Sequence, residues 1–137
     1  MRHRFAALVL LGFVVACGPG FADPIASHDV IITATKATSP NGENVALAIA
    51  NHGTSTALVG NCGTEPLITV HEFINDHWIA SSPGCEPLGE LIPLAAGEEL
   101  VVRRSFARGR YRFSVSVTTR VDRLDVAPAT SNTLDIR

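Results

Sequence analysis

The stretch GRYRFSVSV, residues 109–117, is the clearest structural pattern in the chain. Apolar and polar side chains alternate along it with a period of two residues, which is the period of a β-strand that buries one face. The sequence therefore predicts a half-buried β-strand that packs on a core through its aromatic face. The side chains predicted for that face are those of Tyr111, Phe113, Val115 and Val117.

Short segments of the same kind precede and follow this strand, and turn residues separate them. SPNG (39–42) is a strong turn signal, and Asn75-Asp76 is a predicted hairpin turn between two short strands. No long window has helical periodicity, so the pattern predicts an all-β sandwich or barrel of about seven to eight strands. The predicted strands are residues 29–35, 43–51, 56–61, 67–73, 77–80, 100–106, 110–118 and 132–137.

The N-terminus has the pattern of an export signal. Residues 1–4 are basic, and residues 5–16 form an apolar run that is shorter than the about 20 residues a membrane span needs. The run ends in VVAC, which is typical of a lipoprotein signal whose lipidated residue is Cys17. Cleavage after Ala22, which would give a secreted or periplasmic soluble protein, is the alternative. We expect a signal peptide over 1–16, a flexible tether over 17–27 and one domain over 28–137, anchored at the cell envelope.

Charge and cysteine content narrow the classes of partner and cofactor. Without residues 1–16 the chain has nine cations and thirteen acids, which argues against nucleic acid as a partner. Cys62 and Cys85 then remain as an even pair, and in an oxidising compartment such a pair predicts a disulfide. Two buried thiols are the alternative. A zinc site is not expected, because neither cysteine belongs to a C-x-x-C motif.

The stretch 109–117 resembles the E–F region of immunoglobulin-like domains. In that region a glycine turn precedes a tyrosine whose hydroxyl bonds back to the upstream backbone, so the resemblance implies that Tyr111 is a corner residue. Phe113 stands where antibody domains have their second cysteine. The pair Cys62 and Cys85 therefore departs from the antibody pattern.

The C-terminal stretch SNTLDI, residues 131–136, extends this resemblance. Small immunoglobulin-like domains of exported bacterial proteins commonly close with a G-x-Y-x-[FL] strand, a loop and an S-N-x-[FL]-x-[IV] strand. The bacterial intracellular proteinase inhibitor family is similar in fold. The resemblance spans roughly residues 28–137 and implies a single immunoglobulin-like antiparallel β-sandwich, but it supplies no functional residue.

Catalytic and metal-ligating residue types are present without the spacing that their chemistry needs. His52, His71 and His77 do not pair with one another at short ligand spacing. Ser81 and Ser82 lie near His77, but no G-x-S-x-G elbow is present. We therefore expect no catalytic centre, no metal and no cofactor.

Arginine is concentrated late in the chain. Seven of the nine cations outside residues 1–16 lie within residues 103–123. On neighbouring strands they would form a basic stripe able to bind an acidic protein, an anionic polymer or lipid headgroups, and a solvated polar face is the alternative. Trp78 is expected in the core rather than at an interface. The arginines predicted for the binding patch are Arg103, Arg104, Arg108, Arg110 and Arg112.

These observations predict a non-enzymatic binding or structural module at the cell envelope. Its expected partners are the membrane, through the lipid on Cys17, and an unknown protein or anionic envelope polymer. The alternative, which comes only from the resemblance in fold, is a protease inhibitor that acts through the exposed loop of residues 81–89.

Overall fold

The computed structural model describes residues 29–39, 42–84, 90–123 and 125–137. Within these ranges the protein has eleven strands and no helix, and the strands form two antiparallel sheets around one apolar core. The predicted all-β sandwich is confirmed. The strands are β1 (Val30–Ser39), β2 (Gly42–Asn51), β3 (Ala57–Cys62), β4 (Glu65–Pro66), β5 (Ile68–Ile74), β6 (His77–Ser81), β7 (Leu91–Leu94), β8 (Glu99–Ser105), β9 (Gly109–Thr118), β10 (Ala127–Thr130) and β11 (Leu134–Ile136).

The smaller sheet consists of β1, β2 and β8, with β2 in the centre. The β1–β2 hairpin closes with Ser39 opposite Gly42, at the predicted turn. Alternate residues of β2, namely Val45, Leu47 and Ile49, are buried in the core. The residues between them are alanines, so the outward face of this sheet has short side chains along its centre.

The larger sheet is built around β9. One edge of β9 pairs with β5 and then with β3, and its other edge pairs with β10 and β11. β5 continues into β6 through Asn75 and Asp76, whose φ angles of 49° and 64° define the tight hairpin turn that suits the twist of two antiparallel strands. β6 lies at the edge of the sheet, since it pairs with β5 alone among the described residues.

The core lies between the two sheets, and β9 supplies its centre. Phe113 and Val117 are fully buried there, together with Leu47 and Ile49 from the smaller sheet and Ile68 from β5. Each large apolar side chain buried in this way contributes about 1.5–3 kcal/mol relative to an exposed position. The alternation that predicts a strand at 109–117 is therefore the alternation that places β9 on the core.

Three short strands were not predicted: β4, β7 and β10. Each of them contains a proline, and proline within a run of residues argues against a central strand because it has no N–H to donate. The positions of β7 and β10 follow this rule, because neither is a central strand. Within the described ranges β7 pairs only with β3, and β10 pairs only with β9. The prolines of these two strands are Pro93 and Pro128.

The Ser131-Asn132 pair links the two sheets. Ser131 extends the ladder of β9, since its N–H donates to the Phe113 carbonyl at 2.8 Å and its hydroxyl accepts from the Phe113 N–H at 2.9 Å. The Asn132 side chain lies against the open edge of β1. Its Oδ1 accepts from the Ala34 N–H at 2.9 Å and its Nδ2 donates to the Ala34 carbonyl at 3.1 Å. One side chain thus satisfies both backbone groups of an edge residue, as a neighbouring strand would.

The predicted signal peptide and tether, residues 1–27, lie outside the described residues. In the part of the chain that the structure describes, no helix is long and apolar enough to cross a membrane.

Candidate functional site

The five predicted patch arginines do not share one surface. Arg103 and Arg104 lie on β8 in the smaller sheet, Arg108 lies in the β8–β9 connection, and Arg110 and Arg112 lie on β9 in the larger sheet. Neighbouring residues of a strand point to opposite faces, so Arg103 and Arg104 also diverge from each other.

Arg104 has a structural role between the sheets. Its guanidinium donates to the Glu65 carboxylate of β4 at 2.9 Å, and this ion pair joins the smaller sheet to the larger one. Arg103 faces outward, beside the alanines of β2, because it pairs with Ala46 and alternates with the buried Val102. Of the predicted set, therefore, only Arg110 and Arg112 are brought together.

Arg110 and Arg112 lie on the outer face of the larger sheet, because they alternate with the buried Tyr111 and Phe113. Arg110 is paired within the molecule: its Nε donates to Oδ1 of Asp135 on β11 at 2.8 Å. This hydrogen bond and the positive charge of Arg110 hold the pKa of the Asp135 carboxyl below its usual value. The pair is exposed to solvent, so it contributes little to stability.

Arg112 packs against an aromatic ring instead of a carboxylate. Its guanidinium carbon lies 4.4 Å from the centroid of the Trp78 ring, which is the geometry of a cation–π contact. The Trp78 ring in turn lies 5.1 Å from the ring of Phe73, and Arg110 lies 5.6 Å from the Phe73 ring. We call Phe73, Trp78, Arg110 and Arg112 the arginine–aromatic cluster.

The prediction that Trp78 belongs to the core is wrong. Trp78 is only partly buried, and it lies on the outer face opposite Phe73 in the β5–β6 register. The same alternation turns its neighbour Ile79 toward the core side of the sheet, at the open edge, where 51% of its surface is exposed. The hairpin turn at Asn75-Asp76 fixes which face each residue takes, and a shift of one residue would have exchanged them.

Polar side chains lie beside Arg112 on the same face. His71 lies next to Arg112 across β5 and β9, and its Nε2 is 2.9 Å from the Ser114 hydroxyl. Burial and the positive charge of Arg112 lower the pKa of His71. Nε of Arg112 is buried and has no hydrogen-bond partner in the described part of the chain. Among those residues Arg112 also has no carboxylate within ion-pair distance, since the pairs found there involve other arginines.

The His71–Ser114 contact brings a base close to a hydroxyl, but its surroundings do not suit nucleophilic catalysis. Ser114 is buried beneath the face, with 8% of its surface exposed. Thr69 and Ser114 are ladder partners, so the nearby backbone N–H groups serve the sheet and leave no evident set of donors for an oxyanion. Neither His71 nor Ser114 stands out in the sequence, because only the strand register brings the two side chains together.

The other predicted site residues lie apart. His52 follows β2. His77 begins β6 and lies three residues before Ala80, the ladder partner of His71. The described residues include no group of three or more histidine, cysteine or acidic side chains able to hold a metal ion. The Ser81 hydroxyl donates a long hydrogen bond to the Val70 carbonyl, and the Ser82 hydroxyl lies 3.2 Å from that of Thr69. Both serines therefore contact the neighbouring strand β5.

Three further predictions fall partly or wholly on residues outside the described ranges. Cys17 lies there, and so does Cys85, whereas Cys62 ends β3 in a half-buried position. The disulfide therefore stays a prediction. The loop proposed for protease inhibition, residues 81–89, is described only as far as Gly84.

For Tyr111 the predicted burial of the ring is confirmed, and the predicted hydrogen bond to upstream backbone is wrong. The ring is buried, with 5% of its surface exposed. Its hydroxyl, however, donates to the Glu72 carboxylate on β5 at 3.3 Å rather than to upstream backbone. Burial, and then the negative charge of Glu72, raise the pKa of Tyr111. The ring lies directly over Gly109, where an added Cβ would come within 2.9 Å of it, and this contact explains the glycine of the G-x-Y motif.

An apolar groove of about 180 Å³ opens further along the same outer face. It lies over Gly60 of β3 and Ser116 of β9, and Leu67, Leu91 and Val126 line its sides. The groove is large enough for one side chain but contains few polar groups to orient a ligand. It adds apolar surface, with Arg123 in its lining, to the face that bears the arginine–aromatic cluster.

Comparison of the chain with protein-family models finds no match, and comparison with curated proteins finds none either.

Proposed function

We propose that this chain is a non-enzymatic binding module of the cell envelope, and that its arginine–aromatic cluster binds an anionic group of its partner. The observation that carries the proposal is Arg112. Its guanidinium carbon lies 4.4 Å from the centroid of the Trp78 ring, and it has no carboxylate partner in the described residues.

Such an arginine is prepared to bind an external carboxylate, phosphate or sulfate. A guanidinium has five N–H donors in a planar fork that matches the oxygens of these groups. The contact with Trp78 restricts the guanidinium before the ligand arrives, so less conformational entropy is lost on binding. Tryptophan and arginine are also the residue types most enriched among side chains that dominate binding energy at interfaces.

The order of strands supports an immunoglobulin-like sandwich as the scaffold. β1, β2 and β8 take the positions of strands A, B and E, while β5, β9 and the β10–β11 pair take those of C, F and G. β6 then corresponds to C′, and β3, β4 and β7 are additions at the end of the sheet. In this scheme the proposed site is the exposed face of the sheet that contains C, F and G.

Binding through Arg112 can be tested with two substitutions that change net charge equally. Arg112→Gln removes the proposed ligand-binding guanidinium, and Arg103→Gln removes an exposed guanidinium on the smaller sheet. Retention is measured on immobilised poly-L-glutamate, which offers only carboxylates, and on heparin, which offers sulfates as well. A hydrogen bond to a charged group contributes about 1.5–3 kcal/mol, so we expect Arg112→Gln to weaken binding by tenfold or more.

Arg103→Gln is expected to change retention by less than about twofold, because an exposed charge on the far sheet is screened by salt. Wild-type binding should weaken steeply as ionic strength rises. Equal loss in the two variants would mean that net charge alone is responsible, and the proposal would then fail. Circular dichroism of both variants checks that the fold is intact.

Export and lipid anchoring through Cys17 are a separate part of the proposal. Its support is the VVAC pattern at the end of the apolar run. We expect the wild-type protein to enter the detergent phase on phase separation and Cys17→Ala to stay in the aqueous phase. A wild-type protein found in the aqueous phase would contradict the anchor without affecting the binding site.

A further inference from the structure

β6 differs from the other edge strands of the sandwich. An open strand edge presents unpaired N–H and C=O groups to any other strand, and proteins usually protect it with charge, proline, short length or a covering group. β6 (HWIAS) has no charged residue and no proline. In the described part of the chain the other edges are protected by Lys36 and Asn132 at β1, Glu99, Arg103 and Arg104 at β8, Pro66 in the two-residue β4, Pro93 in β7, Pro128 in β10, and Asp135 in the three-residue β11.

The hairpin geometry determines which backbone groups of β6 face the open edge. In a two-residue hairpin the residues flanking the turn, here Ile74 and His77, form a hydrogen-bonded pair, and such pairs alternate with non-hydrogen-bonded ones. Trp78 and Ala80 therefore direct their N–H and C=O groups away from β5. The same rule applied to β1 directs the Ala34 groups outward, and those are the groups that Asn132 binds.

The charge beside this edge is positive. The Arg112 side chain extends from β9 across β5 until its guanidinium lies over Trp78, a residue of β6. A strand added next to β6 would place alternate side chains on the outer face, within reach of that guanidinium. Its other side chains would lie beside Ile79, which is half exposed on the core side.

We propose that β6 binds an extended segment of a partner protein as an additional strand, and that this segment presents an acidic side chain to Arg112. The inference rests on the proposed function and specifies its partner. Main-chain hydrogen bonds from Trp78 and Ala80 supply register, and the Arg112–carboxylate pair supplies specificity. The sequence pattern that fits is an acidic residue flanked by apolar residues, since the flanking side chains would cover Ile79.

A second copy of this chain fits the same edge less well. Antiparallel pairing of two β6 strands would place two Arg112–Trp78 clusters along one seam, and their like charges would repel. β6 itself has no acidic residue with which to compensate Arg112 in a partner copy. The charge therefore favours an acidic partner over self-association.

The test uses two synthetic peptides, acetyl-VTVEVTV-amide and its counterpart with glutamine in place of the glutamate. Ala80→Pro removes one outward N–H without removing a β5–β6 hydrogen bond, and Ala80→Thr keeps that N–H as the matched control. We expect the glutamate peptide to bind the wild type and the Ala80→Thr variant within about twofold of each other. Ala80→Pro should bind it at least about tenfold more weakly.

Two readouts make the result specific. The glutamine peptide should bind wild type about fivefold more weakly than the glutamate peptide, and Arg112→Gln should abolish that difference. On wild-type protein, the amides of Trp78 and Ala80 should gain protection from hydrogen exchange when the glutamate peptide is added, whether or not the variants fold.

Other outcomes would overturn the inference. Unchanged peptide binding by a folded Ala80→Pro variant, or absence of protection at Trp78 and Ala80, would show that β6 is not the docking edge. Sedimentation of the wild type as a dimer that Ala80→Pro dissociates would assign the edge to a second copy. In either case, an Ala80→Pro variant that is still retained on poly-L-glutamate would leave the anion-binding proposal intact. That proposal is tested separately, by whether Arg112→Gln loses retention.

Discussion

The outer faces of the two sheets are both open to solvent, but they are built from different side chains. On the smaller sheet the central strand contributes Ala46, Ala48 and Ala50, and the longer neighbours Ile31 and Val101 are exposed at the sides. On the larger sheet the corresponding positions hold two aromatic rings and two arginines in mutual contact, with His71 beside Arg112 in the strand register. The two faces have the same backbone pattern, and only their side chains differ.

A sheet face can therefore belong to a stable fold without being suited to bind a partner. Short side chains on a flat sheet supply neither an anchor nor a preferred orientation for a partner. The tilted rings of Phe73 and Trp78, with the Arg112 guanidinium over Trp78, are the groups that the proposed binding would use. The arginine content of the sequence consequently overstates the proposed binding surface, because Arg104 pairs with Glu65 between the sheets and Arg103 lies among the alanines.

The largest expected effect is a loss of stability on the inner side of β9, the strand whose outer side bears Arg110 and Arg112. In Gly109→Ala the new methyl group would meet the Tyr111 ring at 2.9 Å, so β9 must shift or the ring must leave its place. We expect a loss of about 2 kcal/mol in the free energy of unfolding, measured by urea denaturation.

Gly60→Ala is the matched control, since its Cβ would make only ordinary contacts of 3.8 Å. We expect it to change the free energy of unfolding by less than about 0.5 kcal/mol. Similar losses in the two variants would indicate a general intolerance of β-strand glycine substitution and would remove the specific role of the Gly109–Tyr111 contact.

A smaller effect is expected where the larger sheet protects the smaller one. Asn132→Ala would leave the N–H and C=O groups of the buried residue Ala34 without their partners. We expect a loss of about 1–2 kcal/mol in the free energy of unfolding. Faster hydrogen exchange at Ala34 in the alanine variant is the specific readout, and unchanged exchange there would contradict the role assigned to Asn132.

The smallest expected effect is a pH dependence confined to the larger sheet. Burial and Arg112 lower the pKa of His71, so the imidazole is neutral at pH 7 and becomes charged only as the pH falls below the ordinary value near 6.5. Protonation places a second positive charge beside Arg112 and should strengthen heparin binding, by about threefold or less. Heparin is the suitable ligand because its sulfates stay ionised.

The same titration has a linked effect on stability. A lowered pKa in the folded state means that the unfolded chain takes up the His71 proton first, so this contribution to stability is present above pH 6.5 and is lost as the pH falls through the lowered pKa. His71→Gln should remove the increase in heparin binding, whereas His52→Gln, which lies outside the face, should retain it. An unchanged pH response in His71→Gln would assign the effect to another group.

Local patterns predict the parts of the fold that depend on neighbouring residues. The alternation in 109–117 is sufficient for β9, and Asn75-Asp76 is sufficient for the β5–β6 hairpin, including the pairing of Phe73 with Trp78. The bond from Asn132 to Ala34 joins residues 98 positions apart, and no local pattern announces it. Strands β7 and β10 were missed because a proline is compatible with a strand only at an edge, and the edge is a property of the assembled sheet.

The same limit applies to the site. The cluster of arginines is visible in the sequence, but its division between two sheets depends on register, and register depends on tertiary packing. A tryptophan in a β-sandwich is expected in the core, and nothing local to β6 shows which of its faces meets the other sheet. The contact between His71 and Ser114 likewise requires the β5–β9 pairing.

The surface at which an anionic ligand binds can be mapped residue by residue. Amide chemical shifts of ¹⁵N-labelled protein would be followed by nuclear magnetic resonance during titration with poly-L-glutamate, at low and at high salt. Binding at the arginine–aromatic cluster predicts shifts at β5, β6 and β9, including the indole N–H of Trp78, that disappear at high salt and in Arg112→Gln. Shifts centred on β1, β2 and β8, or spread evenly over both faces, would contradict the assignment of binding to the larger sheet.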